Sequence, residues 1–263
     1  MSILARVVTS LIIALAISLS ARRARALNAS GAVAATIVGT LALLAGWRWG
    51  LLLLLYFASS SALSRLGAAT KERRTSGIIE KGGARDALQV LANGGVFALA
   101  AALAAIFPDD ARWLALGAGA LAASASDTWA TEVGTLVGGT PRSILGFRPV
   151  PVGMSGGVTI AGTLAALAGA LFVAVATGLL SWPTPVAIGA ALGGIAGSTL
   201  DSLLGASLQG RRWCDTCDCA SERDVHDCGR PTRRAGGIAW LTNDAVNLAC
   251  GLMGGLVALG VTR

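Results

Sequence analysis

The sequence predicts an all-α, polytopic membrane helix bundle, and three observations carry that prediction. Hydrophobic residues make up 54% of the 263 and charged residues only 13%, about half the roughly 25% of a soluble domain. Apolar runs of about 20 residues, the length that spans a bilayer, recur eight times along the chain. The basic residues fall overwhelmingly in alternate loops. Together these exclude a disordered chain, a coiled coil and a secreted disulfide scaffold. With 35 glycines and abundant alanine, the helices can approach closely, which suits a packed bundle.

The runs lie near Ser2 to Ala21, Ser30 to Trp47, Trp49 to Leu66, Ala87 to Phe107, Trp113 to Val137, Gly156 to Leu180, Pro183 to Leu208 and Gly236 to Val261. Arg22, Arg23 and Arg25 follow the first run, which reads as a stop on the cytoplasmic side, not as a cleaved secretory signal. Six basic residues follow the third run: Arg65, Lys71, Arg73, Arg74, Lys81 and Arg85. Arg142 and Arg148 follow the fifth, and Arg211, Arg212, Arg223, Arg230, Arg233 and Arg234 follow the seventh. Thus 17 of the 21 basic residues lie on one side, leaving Arg6, Arg48, Arg112 and Arg263 on the other. Basic loops stay cytoplasmic, so eight spans place both termini outside. A missed or invented span would have set the basic loops on alternating sides. The net charge of +7 is explained by orientation and by anionic lipid or phosphate contact, with no nucleic-acid partner. The whole chain, 1–263, reads as one integral membrane domain with a cytoplasmic metal-binding loop at about 209–235.

Ionisable groups inside a span are costly and mark function. The fifth run holds Ser126, Asp127, Thr128, Thr131 and Glu132; the seventh holds Ser198, Thr199, Asp201 and Ser202; the eighth holds Thr242, Asn243, Asp244 and Asn247. Asn93 adds an amide near the start of the fourth. All lie toward the cytoplasmic ends. Asn243 and Asn247 share a helix face by their spacing of four, as do Asp127 and Thr131. Carboxylates from three helices with amides and hydroxyls make the oxygen-rich setting that Mg²⁺ and its attached phosphates require. The plainer alternative, hydrogen bonds that glue the bundle, needs no charge.

Two loops have the composition of phosphate cradles. KERRTSGIIEKGGARDALQVLANGG, from Lys71 to Gly95, combines Arg74, Lys81 and Arg85 with Gly82, Gly83 and a following helix N-terminus. Backbone N–H groups there can hold an anion, although a basic loop also serves topology alone. GGTPRSILGFRPVPVGMSGGVT, from Gly138 to Thr159, brings Arg142 and Ser155 with a glycine run that is either a cradle or a plain turn. Neither ends in the Gly-Lys-Ser/Thr of a Walker A motif.

Four of the five cysteines and the only histidine fall together as Cys214, Cys217, Cys219, His226 and Cys228. Cys214 and Cys217 form a C-x-x-C knuckle, with His226 and Cys228 a second pair. The spacing fits a structural Cys₃His zinc site with Cys219 as a substitute ligand, and a reduced cytoplasmic loop disfavours disulfides. A redox-active or metal-free cluster is the alternative. Cys250, inside the last run, packs.

Read together, RTSGIIEKGGARDALQVLANGG, SDTWATEVG, Pro-Arg-Ser-Ile with VPVGMSGGVT, GSTLDSLLGA, CDTC with HDCG, and WLTNDAVN resemble one family. It comprises the integral membrane proteins that include plant phytyl-phosphate kinase and animal transmembrane protein nineteen. The resemblance extends from Arg74 to Asn247 and implies a kinase that converts an isoprenyl monophosphate to its diphosphate, with CTP as the donor. Asp127, Ala130, Gly134 and Gly138 also keep a spacing similar to that of CTP-dependent polyprenol kinases and phosphatidate cytidylyltransferases, although the latter's Ser-Pro-Lys-Lys-Thr element is replaced by Gly-Met-Ser-Gly-Gly.

On this reading Asp127, Asp201, Asp244 and Glu132 are the catalytic carboxylates, with Asp127 and Asp201 the magnesium ligands. Arg74, Lys81, Arg85, Asn93, Arg142, Ser155, Asn243 and Asn247 bind substrate or nucleotide. Cys214, Cys217, His226 and Cys228 hold structural zinc. The bilayer, an isoprenyl phosphate and a nucleotide are the expected partners, and the active site faces the cytoplasm. A lipid or ion transporter or flippase with buried carboxylates is the rival reading; it would be expected to show interrupted helices in matched halves.

Overall fold

A computed structural model describes residues 2–79 and 83–262. Among them are nine helices: α1 (Ile3–Arg23), α2 (Ala29–Ala45), α3 (Trp47–Arg65), α4 (Ala68–Thr75), α5 (Ala87–Ile106), α6 (Arg112–Val137), α7 (Ile160–Leu179), α8 (Thr184–Ser207) and α9 (Asn243–Val261). Five short strands lie in two loops: β1 (Arg142–Ser143), β2 (Gly157–Val158), β3 (Arg211–Cys214), β4 (Cys219–Ser221) and β5 (Arg233–Gly236). The chain is a polytopic helical membrane protein.

Local chemistry sets the helix ends. Asp86 caps α5 by accepting from Gln89 N at 2.9 Å while Gln89 Oε1 accepts from Asp86 N at 3.1 Å, a reciprocal box that satisfies two orphan donors. Thr159 accepts from Gly162 N at 3.0 Å to start α7, and Asn28 from Gly31 N at 2.9 Å to start α2. Gly67, at φ +63°, occupies the left-handed region between α3 and α4 and allows the 70° bend there.

Eight of the helices overlie the eight apolar runs, but the expected count of eight spans is not what length and apolarity support. Five helices pass as membrane-crossing, or six if the bent pair α3 and α4 is one span. With 17 residues, α2 is short, and α6 is polar through its second half. The eighth run was placed from Gly236, yet α9 begins at Asn243 because Arg233–Gly236 pairs as β5. Likewise α7 begins at Ile160, after β2, not at Gly156. The basic loop after α3 contains α4, whose polar sequence AATKERRT gave no apolar run to find. The strands qualify the all-α prediction. Runs of two to four residues leave too little alternation to read.

The central post is α6, which packs against α5, α7, α8 and α9. Every residue from Ala115 to Ser126 is buried, and most are Ala, Gly or Ser. Large aliphatic side chains instead face outward, as with Ile12, Ile37, Leu164 and Leu179. Lipid rewards neither arrangement by hydrophobicity, so close backbone packing decides what lies inside. At Gly254 of α9, a Cβ would stand 2.6 Å from Ala123 Cβ of α6 and 3.0 Å from Gly193 O of α8. Gly254→Val is therefore expected to lower stability by about 1–3 kcal/mol through overpacking, measurable as a lower midpoint of thermal unfolding in detergent.

Candidate active site

Three helices deliver one polar cluster. Asp127 lies two-thirds along α6, Asp201 in the C-terminal part of α8, and Asn243 and Asn247 in the first two turns of α9. With its amide nitrogen facing the carboxylates, buried Asn247 donates to Asp201 Oδ2 at 3.2 Å and to Asp127 Oδ2 at 3.3 Å, while its oxygen accepts from Asn243 Nδ2 at 3.1 Å. Spacing of four places both asparagines on one face of α9. Ser126 Oγ, next to Asp127, adds a bond to Ser198 Oγ at 2.9 Å and ties α6 to α8. Two carboxylate oxygens from different helices thus converge on one amide N–H group. Asp244 is half-buried in the first turn of α9, beside Asn243.

Glu132 is held elsewhere. Five residues beyond Asp127, it points about 140° around the helix and pairs with Lys71 Nζ of α4, which also donates to Leu63 O at 2.7 Å and Ser64 O at 2.9 Å. Ser64 Oγ donates to the second Glu132 oxygen at 2.5 Å. The pair therefore staples the C-terminal ends of α3 and α6 through α4.

The predicted phosphate-binding cations divide in the same way. Arg74 donates to Thr135 O at 2.9 Å and Leu136 O at 2.7 Å, capping the last carbonyls of α6. Arg85 is half-buried between Ser61 Oγ and Ser64 Oγ, both 3.3 Å away, with its guanidinium 6.0 Å from the Phe57 ring centre. Arg142, exposed on β1, donates to Phe147 O at 2.9 Å. Asn93 donates to Gln89 O at 3.0 Å, and its own carbonyl accepts from Ser124 Oγ at 2.8 Å, so it links α5 to α6. Ser155 N donates to Glu222 Oε1 at 3.1 Å, and Ser155 Oγ accepts from Gln209 Nε2 at 2.8 Å. Lys81 and Gly82 lie outside the described residues.

Beside the cluster is a cavity of about 110 Å³ between α1, α2, α3 and α5. Its walls are apolar, with Leu27, Val38 and Leu53 among them, while Tyr56, Arg85, Gln89 and Asn93 give it a polar side. Tyr56 joins the two features, because its hydroxyl faces Thr128, the neighbour of Asp127, and lies within the electrostatic reach of Arg85. Sequence reasoning passed over Tyr56, Glu222 and the Lys71 pairing. The single tyrosine of the chain was a signal for the first; nothing local marked the other two.

The cysteine loop forms a three-stranded antiparallel sheet in the order β4-β3-β5, with Cys214 opposite Cys219. One ligand atom each from Cys214, Cys217, His226 and Cys228 lies within 4.8 Å of the others. The hydrogen bond from the His226 side draws the Cys228 thiol down to about 6, and Cys217 is pushed up, first by its own bond to Cys228. Cys219 lies outside this set, 3.5 Å from His226 Nε2. Buried Cys250 faces Gly197 of α8 in the helix packing.

Comparison with known proteins agrees with the motifs. Arabidopsis thaliana Protein PGR is 33% identical over 267 residues, covering 92% of this chain and 91% of its own length. An uncharacterized membrane protein of Synechocystis is 33% identical, covering 82% of this chain and 74% of its own. Protein VTE6, chloroplastic, also of Arabidopsis thaliana, is 28% identical and covers 89% of this chain and 64% of its own. No solved structure matches. The family described as integral membrane protein DUF92 matches residues 12–255, so the resemblance carried by the motifs is borne out and this chain belongs to that family.

Proposed function

We propose that this protein is a membrane kinase that phosphorylates an isoprenyl monophosphate, of the phytyl or geranylgeranyl type, to the diphosphate at the expense of a nucleoside triphosphate, with CTP as the expected donor. The observation that carries the proposal is the convergence of Asp127, Asp201, Asn243 and Asn247 beside an apolar cavity that has a cation at its polar side. The substrate class comes from the resemblance of the motifs between Arg74 and Asn247 to the family that includes plant phytyl-phosphate kinase.

Asp127 and Asp201 would hold Mg²⁺, with Asn247 and Asn243 orienting them and Asp244 near by. Carboxylate oxygens are the donors that ion takes, and those of Asp127 and Asp201 come within reach of one Asn247 amide. Bound magnesium would neutralise phosphate charge. Arg85 holds the substrate phosphate at the mouth of the cavity, where the prenyl tail lies, and Lys81 serves the same loop. Ser155 and Arg142, on the loop after α6, meet the nucleotide. An attacking phosphate is already anionic, so neutralisation and in-line positioning supply most of the rate.

In this reading both termini lie outside and the site faces the cytoplasm. The 17-to-4 distribution of basic residues supports that orientation. The ion pair of Lys71 with Glu132 and the Arg74 cap bring the ends of α3 and α6 near each other, which supports the same orientation.

The test removes the membrane. Detergent-solubilised protein with labelled nucleotides and a panel of prenyl monophosphates should form diphosphate with one nucleotide consumed per product and strict Mg²⁺ dependence. If the full panel gives no turnover, while reconstituted vesicles move a lipid or an ion in an Asp127-dependent way, the transporter reading replaces this one.

A further inference from the structure

The cysteine loop does not stand apart from the rest of the protein. Its strand β4 and the residues after it dock on the segment that follows α4. Ser221 Oγ donates to Gly77 O at 2.8 Å, Glu222 N to Ile78 O at 2.8 Å, and Arg223 Nε to Ile79 O at 2.5 Å. Ser76 Oγ donates to Asp227 Oδ2 at 3.1 Å. His226 lies so close over Gly77 that a Cβ there would be 2.6 Å from Nε2. Glu222, between these contacts, accepts from Ser155 N and lies within electrostatic reach of Asp201. The loop therefore joins the segment after α4, the loop after α6, and the polar cluster.

Two hairpin-like turns create the four-atom group. Pairing of β3 with β4 turns the chain between Cys214 and Cys219 and presents Cys217 at its tip. A bridge between Val225 and Pro231, with His226 N donating to Arg230 O at 2.9 Å, folds His226 and Cys228 back toward Cys214. Cys214 Sγ and Cys228 Sγ are 3.6 Å apart. Tetrahedral zinc with Zn–S of about 2.3 Å separates two sulfur ligands by about 3.8 Å. Three thiols and one imidazole are the ligands of a closed structural zinc site, and too soft a set for magnesium.

The geometry points to one zinc ion on Cys214, Cys217, His226 and Cys228, whose binding fastens Ser221–Arg223 onto Gly77–Ile79 and so sets where Glu222 stands against Ser155. The small sheet has little apolar core of its own, and β5 is exposed along its length, so metal binding supplies the free energy that holds it. Neither the ion nor the clasp depends on which reaction the membrane site performs.

The test uses full-length protein purified in detergent without chelator. Elemental analysis should find about one zinc per chain, and Cys219→Ser should keep it, whereas Cys214→Ser with Cys217→Ser should lose it. Two amides report the clasp directly: Glu222 N, which donates to Ile78 O, and Ser155 N, which donates to Glu222. Stripping zinc from the wild-type protein should raise hydrogen exchange at both by at least about tenfold, and returning zinc should reverse it, which separates loss of metal from misfolding. Ser221→Ala should retain the zinc while loosening the exchange at Glu222. The site is wrong if native protein holds no zinc and takes up none on titration, or if it holds iron instead. The clasp is wrong if zinc leaves and exchange at Glu222 and Ser155 stays unchanged.

Discussion

Asp127→Asn should leave a protein that purifies and unfolds like the parent yet transfers phosphate roughly a thousandfold more slowly. The side chain keeps its shape and its bond to Asn247, so packing on α6 is preserved. What disappears is one of two charges offered to the metal and, through it, to the transferring phosphate. Charge stabilisation of about 4 kcal/mol corresponds to that factor at 1.36 kcal/mol per decade. Product formation under saturating nucleotide and Mg²⁺, read beside thermal unfolding in the same detergent, checks both halves. Activity retained at saturating Mg²⁺ would remove Asp127 from the metal site.

The largest stability effect is expected at Lys71, not at the cluster. Lys71 is buried, its side chain only 10% exposed and that of its partner Glu132 21%. Lys71→Met strands a carboxylate among helix ends and breaks two further contacts, those to Leu63 O and Ser64 O, a loss of about 3–5 kcal/mol. Glu132→Gln, which still accepts from Ser64 and Lys71, should cost much less and retain phosphoryl transfer. In the double replacement Lys71→Met, Glu132→Leu, most of the lost stability should return, because no charge is left unpaired. Unfolding midpoints of the parent, Lys71→Met, Glu132→Leu and the double replacement close a double-mutant cycle. If Glu132→Gln instead abolishes activity with normal stability, Glu132 belongs with the catalytic carboxylates, as its position in the sequence suggested.

Membrane class, the position of the helices, the polar residues within them and the cysteine group were all legible along the chain. Each is a local property: apolar length, charge placement, or spacing between ligand types. The convergence of Asp127, Asp201 and Asn247 was partly legible, since carboxylates at similar depth in three helices have few places to go but the space between them. Glu132 shows the limit of that reasoning, because depth along an axis does not state direction around it. It shares a helix with Asp127, yet about 140° of rotation hands it to Lys71.

Arg74 and Arg85 are alike in the sequence, two cations of one basic loop. Folding spends Arg74 on the carbonyls of Thr135 and Leu136 and places Arg85 at a cavity. No pattern separated them, because their partners come from helices 20 to 60 residues away. The same holds for Glu222, which looks like an ordinary loop acid until β4 docks beside Ile78. Composition and periodicity determine what lies in the membrane, because the bilayer acts on each segment separately. Which polar groups meet is settled by the packing of one helix against another, where small residues such as Gly254 let backbones approach and long-range partners become neighbours.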